Sequence, residues 1–337
     1  MEYAPIIIPT LNRLDHLKRC LHSLERNSGA DKTEVYISVD YPPNERYVEG
    51  YLKLKEWLDS NANKLQFKEV HVYFQNVNLG AKDNSTFLEN QIIGKADRYI
   101  YTEDDNEFSP NFLEYINQGL EIFEKDDRVL GICGAKDTEW IYGGLNSAFV
   151  KLFPAYGYGT WFSKMQYLKS HGQDFLLDKN TLSFSHMKKL LAKNHYLFNA
   201  YICNVLCKEQ GIYWDKNELY WCDSLRSIYM HLSDHVCVVP LEAKSRTWGN
   251  DGTGINMAAT QINPEEKWPL DKASDFAYPD IEKFEYYEEN YKLGNKYLKQ
   301  MISVKGALKA IVLYVLLLIC GRDRKKVITI IEKIGLN

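Results

Sequence analysis

Short apolar segments alternate with amphipathic segments along the first 130 residues of this chain, which has 337 residues in all. The apolar segments have the length of buried β-strands, and the amphipathic segments repeat apolar residues at helical spacing. The predicted strands are residues 4–9, 34–40, 70–74, 98–102 and 129–134. Helices are predicted around leucines 14, 17, 21 and 24 and over residues 47–58, 87–93 and 111–123. We expect Ser109 to cap the last of these helices and Pro110 to occupy its first position. This order predicts an α/β fold with a layered, mostly parallel sheet.

Charge and cysteine content narrow the class of protein. The formal net charge of −4 argues against a nucleic-acid partner, because binding to phosphate backbones needs an excess of positive charge. The seven cysteines form no C-x-x-C pair and are odd in number, which is typical of a reduced compartment. The first residues lack the positive flank and the long apolar stretch of a signal peptide. We therefore expect a cytoplasmic location.

A proline and several polar or charged residues lie at or after the ends of four of the predicted strands. These residues are Pro9, Thr10 and Arg13 after the first strand, Asp40 after the second, Lys82 and Asn84 after the third, and Glu103, Asp104 and Asp105 after the fourth. In a parallel sheet these ends meet at one edge, where ligands bind. Carboxylates beside cationic side chains suit a phosphate ester held with Mg²⁺ or Mn²⁺.

The three adjacent carboxylates also have a simpler interpretation. An acidic turn in solvent before a helix would be stabilised by the helix dipole. However, carboxylates at the tip of a buried strand repel one another unless a cation is present. The sequence therefore favours a site for a divalent cation.

Three of these segments resemble nucleotide-sugar-dependent glycosyltransferases of the GT-A fold. They are residues 5–13, 37–40 and 101–112. The nearest likeness is to the inverting N-acetylglucosaminyltransferase I family, whose acidic motif is similarly Glu-Asp-Asp before a helix start that contains Ser/Ala-Pro-x-Phe. The likeness continues over residues 153–159, 221–226 and 245–249. It implies a central mixed sheet flanked by helices.

The resemblance also implies a role for each matching residue. Asp105 would bind the metal ion, Asp104 the ribose and Glu103 the sugar. Asp40 would lie beside uracil and Arg13 near the nucleotide. The other residues that we expect to contact the nucleotide-sugar are Pro9, Thr10, Lys82, Asn84 and Gly249.

Bacterial surface-polysaccharide sugar transferases provide a second resemblance. Their Gly-Trp-x-Thr-Trp motif, Asp-Ser-Trp segment and glycine-rich loop are similar to residues 157–161, 222–224 and 248–254. Both resemblances point to Asp223. Inverting transfer needs one base that accepts the proton of the acceptor hydroxyl, and we predict that Asp223 is this base. The alternative is an ordinary helix-capping aspartate.

The C-terminal residues differ from the rest of the chain in charge. From residue 299 onward there are eight lysines and arginines and two acidic residues. Residues 310–320 form an apolar run of eleven residues, followed by Arg322, Arg324, Lys325 and Lys326. A span needs about 20 residues to cross a ~30 Å hydrocarbon core, so this run is too short. It can lie along an anionic membrane surface or pack on the protein's own core, and the basic cluster favours the membrane.

Together these features predict three parts of the chain. Residues 1–260 form the GT-A domain, with a nucleotide-binding half (1–135) and an acceptor half (136–260). Residues 261–300 are a linker and helical extension, and residues 301–337 are a membrane-associating amphipathic helical tail.

The predicted function is inverting, metal-dependent glycosyl transfer. A sugar of the GlcNAc, Gal or Glc type would pass from a UDP-sugar to a hydroxyl of a glycan acceptor, lipid-linked, in surface polysaccharide biosynthesis. The enzyme would be peripheral at the inner face of the cell membrane. One alternative is a sugar nucleotidyltransferase, although residues 9–13 lack the glycine- and lysine-rich phosphate loop of that class. The other is a sugar-nucleotide-binding protein without turnover.

Overall fold

The structure, a computed structural model, describes residues 2–136, 147–206, 221–254, 269–272, 276–280, 282 and 304–334. The chain divides into two units. The first contains residues 1–149, 154–163 and 237–280, and the second contains residues 150–153, 164–236 and 281–337. The domain boundaries expected at 135, 260 and 300 stay predictions, and most of the expected linker at 261–300 lies outside the described residues.

A mixed eight-stranded sheet forms the centre of the first unit. The strands of the described residues are β1 (Ile6–Thr10), β2 (Glu34–Val39), β3 (Glu69–Phe74), β4 (Arg98–Tyr101), β5 (Asn106–Phe108), β6 (Val129–Cys133), β7 (Ser147–Val150), β8 (Tyr158–Trp161), β9 (Val236–Pro240) and β10 (Ser245–Thr247). The order in the sheet is β3-β2-β1-β4-β8-β6-β9-β7. Strands β3, β2, β1 and β4 are parallel, whereas β8 is antiparallel to both β4 and β6. Strands β5 and β10 form a separate antiparallel pair.

In the first unit, helices follow the strands and flank the sheet, whereas the helices from residue 173 onward belong to the second unit. Those described are α1 (Leu14–Glu25), α2 (Val48–Asn61), α3 (Gly80–Ile92), α4 (Phe112–Ile122), α5 (Phe162–Tyr167), α6 (Gln173–Leu177), α7 (Phe184–Lys193), α8 (His195–Leu206), α9 (Asp223–Leu232), α10 (Val304–Ile319) and α11 (Arg324–Ile334). The three consecutive isoleucines of β1 are all fully buried. Such burial on both faces is expected of a strand within a parallel sheet. The fold is GT-A, as predicted.

Two helix starts differ from the prediction. Helix α3 begins at Gly80 rather than at residue 87, because polar residues in its first two turns hide the apolar spacing. Helix α4 begins at Phe112, and its N-cap is Asn111 rather than Ser109. Ser109 is still part of the extended backbone, since its N–H donates to the carbonyl of Lys244 at 2.9 Å. Pro110 therefore precedes the helix.

Helix α8 is the centre of the second unit and contacts α7, α9, α10 and α11. The tail is tied to this unit by polar contacts. Tyr314 on α10 donates to the carbonyl of Leu182 at 3.2 Å, and Arg324 on α11 donates to the carbonyl of Val205 at 2.6 Å. Within the described part of the chain, no helix has the length and apolar character that crossing a membrane requires.

Candidate functional site

A cavity of about 150 Å³ opens in the first unit, at the carboxyl ends of β1, β2 and β4. Its walls are Pro9, Thr10, Leu11, Asn12, Arg13, Asp40, Ala81, Asn84, Tyr101, Glu103, Asp104, Asp105, Gly249, Thr253 and Gly254. Parallel pairing explains this convergence, because strands that run in the same direction bring their following loops to the same edge.

The cavity unites most of the residues that the sequence singled out. Nine of them line it, and these are Pro9, Thr10, Arg13, Asp40, Asn84, Glu103, Asp104, Asp105 and Gly249. Lys82 lies on α3 but is not part of the lining. Asp223 belongs to the second unit.

A buried charge cluster of Arg13, Asp104 and Asp105 lies in the wall of the cavity. Arg13 Nη2 donates to Asp104 Oδ1 and lies 2.9 Å from Asp105 Oδ2. Thr10 Oγ1 donates to the other oxygen of Asp104 at 2.6 Å. Glu103, the remaining acidic residue of the motif, is exposed. The guanidinium of Arg13 thus forms ion pairs with two adjacent carboxylates.

Burial governs the ionisation of this cluster. Asp105 is 7% exposed, and this burial raises the pKa of its carboxyl, with the charge of Asp104 acting in the same direction and Arg13 opposing both. Burial alone would lower the pKa of Arg13, but Asp104 and Asp105 raise it above its ordinary value. The guanidinium therefore stays charged, and the two carboxylates need that charge.

Asp40 organises the loop between β3 and α3. Its Oδ1 accepts the N–H groups of Tyr41 (2.9 Å) and Leu79 (2.8 Å), and its Oδ2 accepts that of Gly80 (2.8 Å) and the side-chain amide of Asn78 (3.1 Å). Gly80 has a φ of +78°, which favours glycine at this turn. Burial raises the pKa of Asp40, although the backbone donors act against it. Asp40 was among the predicted site residues, but its bonds to the start of α3 were not predicted.

Asn84 connects α3 to the sheet. Its Nδ2 donates to the carbonyl of Ser38 at 3.1 Å, and its Oδ1 accepts the hydroxyl of the same residue. Asn84 is 2% exposed. The side chain thus fixes the helix against β2 as well as facing the cavity.

The segment after β10 is held against the acidic motif by Glu107. Glu107 Oε2 accepts from Nε and Nη2 of Arg246, at 2.9 and 2.8 Å, and from Nε1 of Trp248 at 2.8 Å. The backbone N–H of Trp248 also donates to the carbonyl of Asp105 at 2.8 Å. The guanidinium of Arg19 lies 4.4 Å from the centre of the Trp248 ring. Neither Glu107 nor Trp248 was among the predicted site residues.

Gly249 lies directly against Asp105. A Cβ on this residue would collide with Asp105 Oδ2, so the close approach requires glycine. Residues on both sides of Gly249 contact α1. His16 Nε2 on that helix lies 3.2 Å from Asp251 Oδ2 and 3.3 Å from the carbonyl of Trp248. The glycine-rich segment therefore forms one wall of the cavity.

Asp223 is the first residue of α9 in the second unit, and the N-cap of that helix is Cys222. Asp223 is exposed, and its Oδ1 accepts the N–H of Ser224 at 2.7 Å. An exposed carboxylate can accept a proton from a hydroxyl group that reaches it.

The oxygen atoms of Asp104 and Asp105 fit a divalent cation by their chemistry. In the described residues no three side chains of the metal-binding types come together. Magnesium-like ions are often held by one or two carboxylates together with substrate phosphates. The chain thus offers a partial ligand set, of a kind that phosphate oxygens complete.

Comparison with known proteins gives the class of this chain. Residues 6–190 match Glycosyl transferase family 2, more than half of the sequence, and the chain belongs to that family. The mixed sheet described above is accordingly that of the GT-A fold. No curated protein matches the sequence at a significant level. The narrower resemblance to the N-acetylglucosaminyltransferase I family stays a prediction.

Several solved structures are similar to parts of the chain. One is the mannosyltransferase PcManGT from Pyrobaculum calidifontis in complex with GDP-Man and Mn²⁺, at 15% identity and a TM-score of 0.36, over 49% of this chain and 46% of that one. Another is S. aureus TarS 1–349 in complex with UDP-GlcNAc, at 13% identity and a TM-score of 0.39, over 78% and 63%. S. aureus TarS itself matches at 12% identity and 0.35, over 74% and 37%. The chain thus covers less than two thirds of each of these structures.

Proposed function

We propose that this chain is an inverting glycosyltransferase that moves a Glc, Gal or GlcNAc type of sugar from a UDP-sugar to a hydroxyl of a glycan. The observation that carries the proposal is the buried cluster of Arg13, Asp104 and Asp105 in a cavity at the ends of parallel strands. In a family 2 glycosyltransferase, such a site suits the diphosphate of a donor.

The donor would bind along the cavity walls of the first unit. Following the resemblance, Asp104 contacts the ribose, the exposed Glu103 contacts the sugar, and Asp40 lies beside uracil. Arg13 supplies positive charge next to the diphosphate, while Pro9 and Thr10 form the adjoining wall. Since four donors already bond to Asp40, we propose that it shapes the uracil subsite chiefly by fixing residues 78–80.

We propose Asp105 as the residue that holds a divalent cation, Mn²⁺ or Mg²⁺. Such a cation neutralises the charge of the leaving diphosphate. Gly249 leaves room for the Asp105 carboxylate on the other side, because a Cβ at position 249 would collide with Asp105 Oδ2. Asn84 and Lys82 have secondary roles, since Asn84 is bonded to Ser38 and Lys82 is outside the cavity lining.

Asp223 is the proposed general base. It accepts the proton of the acceptor hydroxyl while that oxygen bonds to the anomeric carbon and the bond from this carbon to the diphosphate breaks. UDP leaves as an anion, so one carboxylate is enough, in contrast to the pair that glycosidases use. The exposure of Asp223 favours this role, because an acceptor hydroxyl can reach its carboxylate.

The proposed acceptor is a lipid-linked saccharide of a surface polysaccharide, and the proposed location is the inner face of the cell membrane. The support is the positively charged C-terminal tail, which would hold the enzyme near such acceptors.

The test of the reaction is Asp223→Asn, with exposed Asp234→Asn of the same unit as the control. We expect Asp223→Asn to keep UDP-sugar binding, measured by calorimetry, and to lose transfer by on the order of 10²- to 10⁴-fold. The control should retain both. The product of the wild-type protein should have the opposite anomeric configuration to the donor by NMR; retention would remove the role of Asp223. Synthesis of a UDP-sugar from UTP and a sugar phosphate would instead identify a nucleotidyltransferase, and binding without turnover a binding protein.

The test of the cation is Asp105→Ala, with exposed Asp83→Ala as the control. In the wild-type and control proteins, Mn²⁺ should strengthen UDP binding, measured by calorimetry with and without the ion. In Asp105→Ala this strengthening should disappear. An equal response to Mn²⁺ in all three proteins would exclude Asp105 as the ligand.

A further inference from the structure

Helix α10 has two apolar faces. One face consists of Ala310, Leu313, Tyr314 and Leu317, all buried, and α10 packs on α8 within the second unit. This packing explains why one side of the helix is apolar. It does not explain why the opposite side is apolar as well.

The opposite face of α10 is open to solvent. Its residues, which we call the exposed stripe, are Leu308, Ile311, Val312, Val315 and Ile319. Their exposed fractions run from 44% for Ile311 to 75% for Ile319. Spacings of three and four residues place them on one side of a helix. The stripe extends for about 17 Å at 1.5 Å per residue.

Positive charges follow the stripe at once. Gly321 and Arg322 both have positive φ values and form the turn into α11. Arg322, Lys325 and Lys326 are exposed there. Residues 304–319 contain no acidic residue. Asp323, whose Oδ2 lies 3.5 Å from Lys326 Nζ, is the single acidic residue in positions 304–326. The surface thus combines an apolar strip with an end that carries more positive than negative charge.

We propose that the exposed stripe lies in the interfacial layer of an anionic lipid bilayer, parallel to its plane, with Arg322, Lys325 and Lys326 against the headgroups. This inference rests on the membrane association proposed above and names the residues that produce it. A helix with an apolar face and adjacent cations binds such interfaces by apolar burial and electrostatic attraction together. Its length excludes a span, in agreement with the described helices.

A second copy of this chain fits the stripe less well. The same face of another copy would carry the same positive charges, which repel. Five side chains are also few beside the roughly 20–30 residues per side of a stable interface. An anionic surface is complementary in charge, and it needs no matching shape.

The experiment is co-sedimentation of the full chain with vesicles of phosphatidylcholine alone or mixed with phosphatidylglycerol. We expect wild-type protein to bind the anionic vesicles, and the double variant Val312→Glu/Val315→Glu to bind them at least about tenfold more weakly. The matched control is Leu52→Glu, an exposed apolar residue of the first unit, which should bind like wild type. Lys325→Glu/Lys326→Glu should lose most of the preference for vesicles that contain phosphatidylglycerol. Binding to these vesicles should weaken about tenfold, since each cation contributes about 1 kcal/mol and salt screens part of that attraction.

Three results would overturn the proposal. Wild-type protein could fail to sediment with anionic vesicles, or both double variants could bind them as well as wild type does. Alternatively, sedimentation velocity could show a wild-type dimer that Val312→Glu/Val315→Glu dissociates, without vesicle binding, which would assign the stripe to self-association. Calorimetry with UDP-sugars in the absence of vesicles tests the proposed donor separately. A protein that binds vesicles but no UDP-sugar would refute the proposed donor and would leave the membrane role of the stripe supported.

Discussion

In most proteins charged side chains are exposed and apolar side chains are buried. The charge cluster of the first unit and the exposed stripe of the second both depart from this distribution. Arg13, Asp104 and Asp105 are charged and mostly buried, whereas the stripe is apolar and exposed. Buried charges need partners, because an uncompensated charge in the interior is costly. Exposed apolar side chains need none to keep the fold. The two regions should therefore respond differently to substitution, although we propose a binding role for both.

The largest effect on stability is expected from Arg13→Met. Two adjacent buried carboxylates would lose their shared cation, and the free energy of unfolding should fall by about 3 kcal/mol in urea denaturation. Adding Asp104→Asn should restore part of this loss because it removes one of the two charges. Lys82→Met, which removes a cation outside the cavity lining, should change stability by less than about 0.5 kcal/mol. Equal stability of Arg13→Met and wild type would show that the cluster does not depend on its cation.

An intermediate effect is expected from Gly249→Ala. The added methyl group would displace the carboxylate of Asp105 and lower the free energy of unfolding by about 1–3 kcal/mol, the usual cost of overpacking. The control is Gly254→Ala, whose Cβ would be 3.4 Å from Arg13 Nη1, close to an ordinary contact. Thermal unfolding of both variants distinguishes them. A Gly249→Ala protein as stable as its control would mean that Asp105 moves without cost.

The smallest effect on stability belongs to the exposed stripe. Val312→Glu/Val315→Glu should alter the free energy of unfolding by only about 0.5 kcal/mol per site, as usual for surface positions. Urea denaturation without lipid measures it. A loss as large as that of Arg13→Met would show that the stripe is part of the protein's core, and the contrast between the two regions would disappear.

The sequence predicts the framework of the first unit well, for a physical reason. β-Branched runs such as Ile6–Ile8 are typical of buried strands. Parallel pairing then brings Arg13 close to Asp104 and Asp105, although about ninety residues separate them. Chain direction alone produces this juxtaposition. The GT-A fold itself was implied by the family resemblance of residues 5–13, 37–40 and 101–112.

The parts that were missed depend on contacts between distant segments. Glu107 contacts Arg246 and Trp248 because β5 pairs with β10. Strands of only three residues are too short to show a periodic pattern in the sequence, so this pairing could not be predicted. The wrong cap at Ser109 has the same origin, since its N–H bonds to Lys244. Lys82 and Asn84 are two residues apart on α3, so they point in different directions, and only Asn84 faces the cavity.

The tail shows a different limit. An apolar run of eleven residues predicts a helix but does not tell which of its sides is covered. Tyr314 supplies the answer through its bond to the carbonyl of Leu182, a contact across 132 positions. A membrane surface and the protein's own core were predicted as alternative partners of this run. The two do not exclude each other, because α10 packs on α8 and exposes apolar surface at the same time.

The contact between Gly249 and Asp105 has an evolutionary consequence. Most walls of a binding cavity can be reshaped by successive small substitutions, each tolerated before the next. Position 249 offers no such path, because even the smallest side chain meets the Asp105 carboxylate. In relatives that keep this backbone course and this aspartate, the position should remain glycine, while donor preference diverges through the other walls.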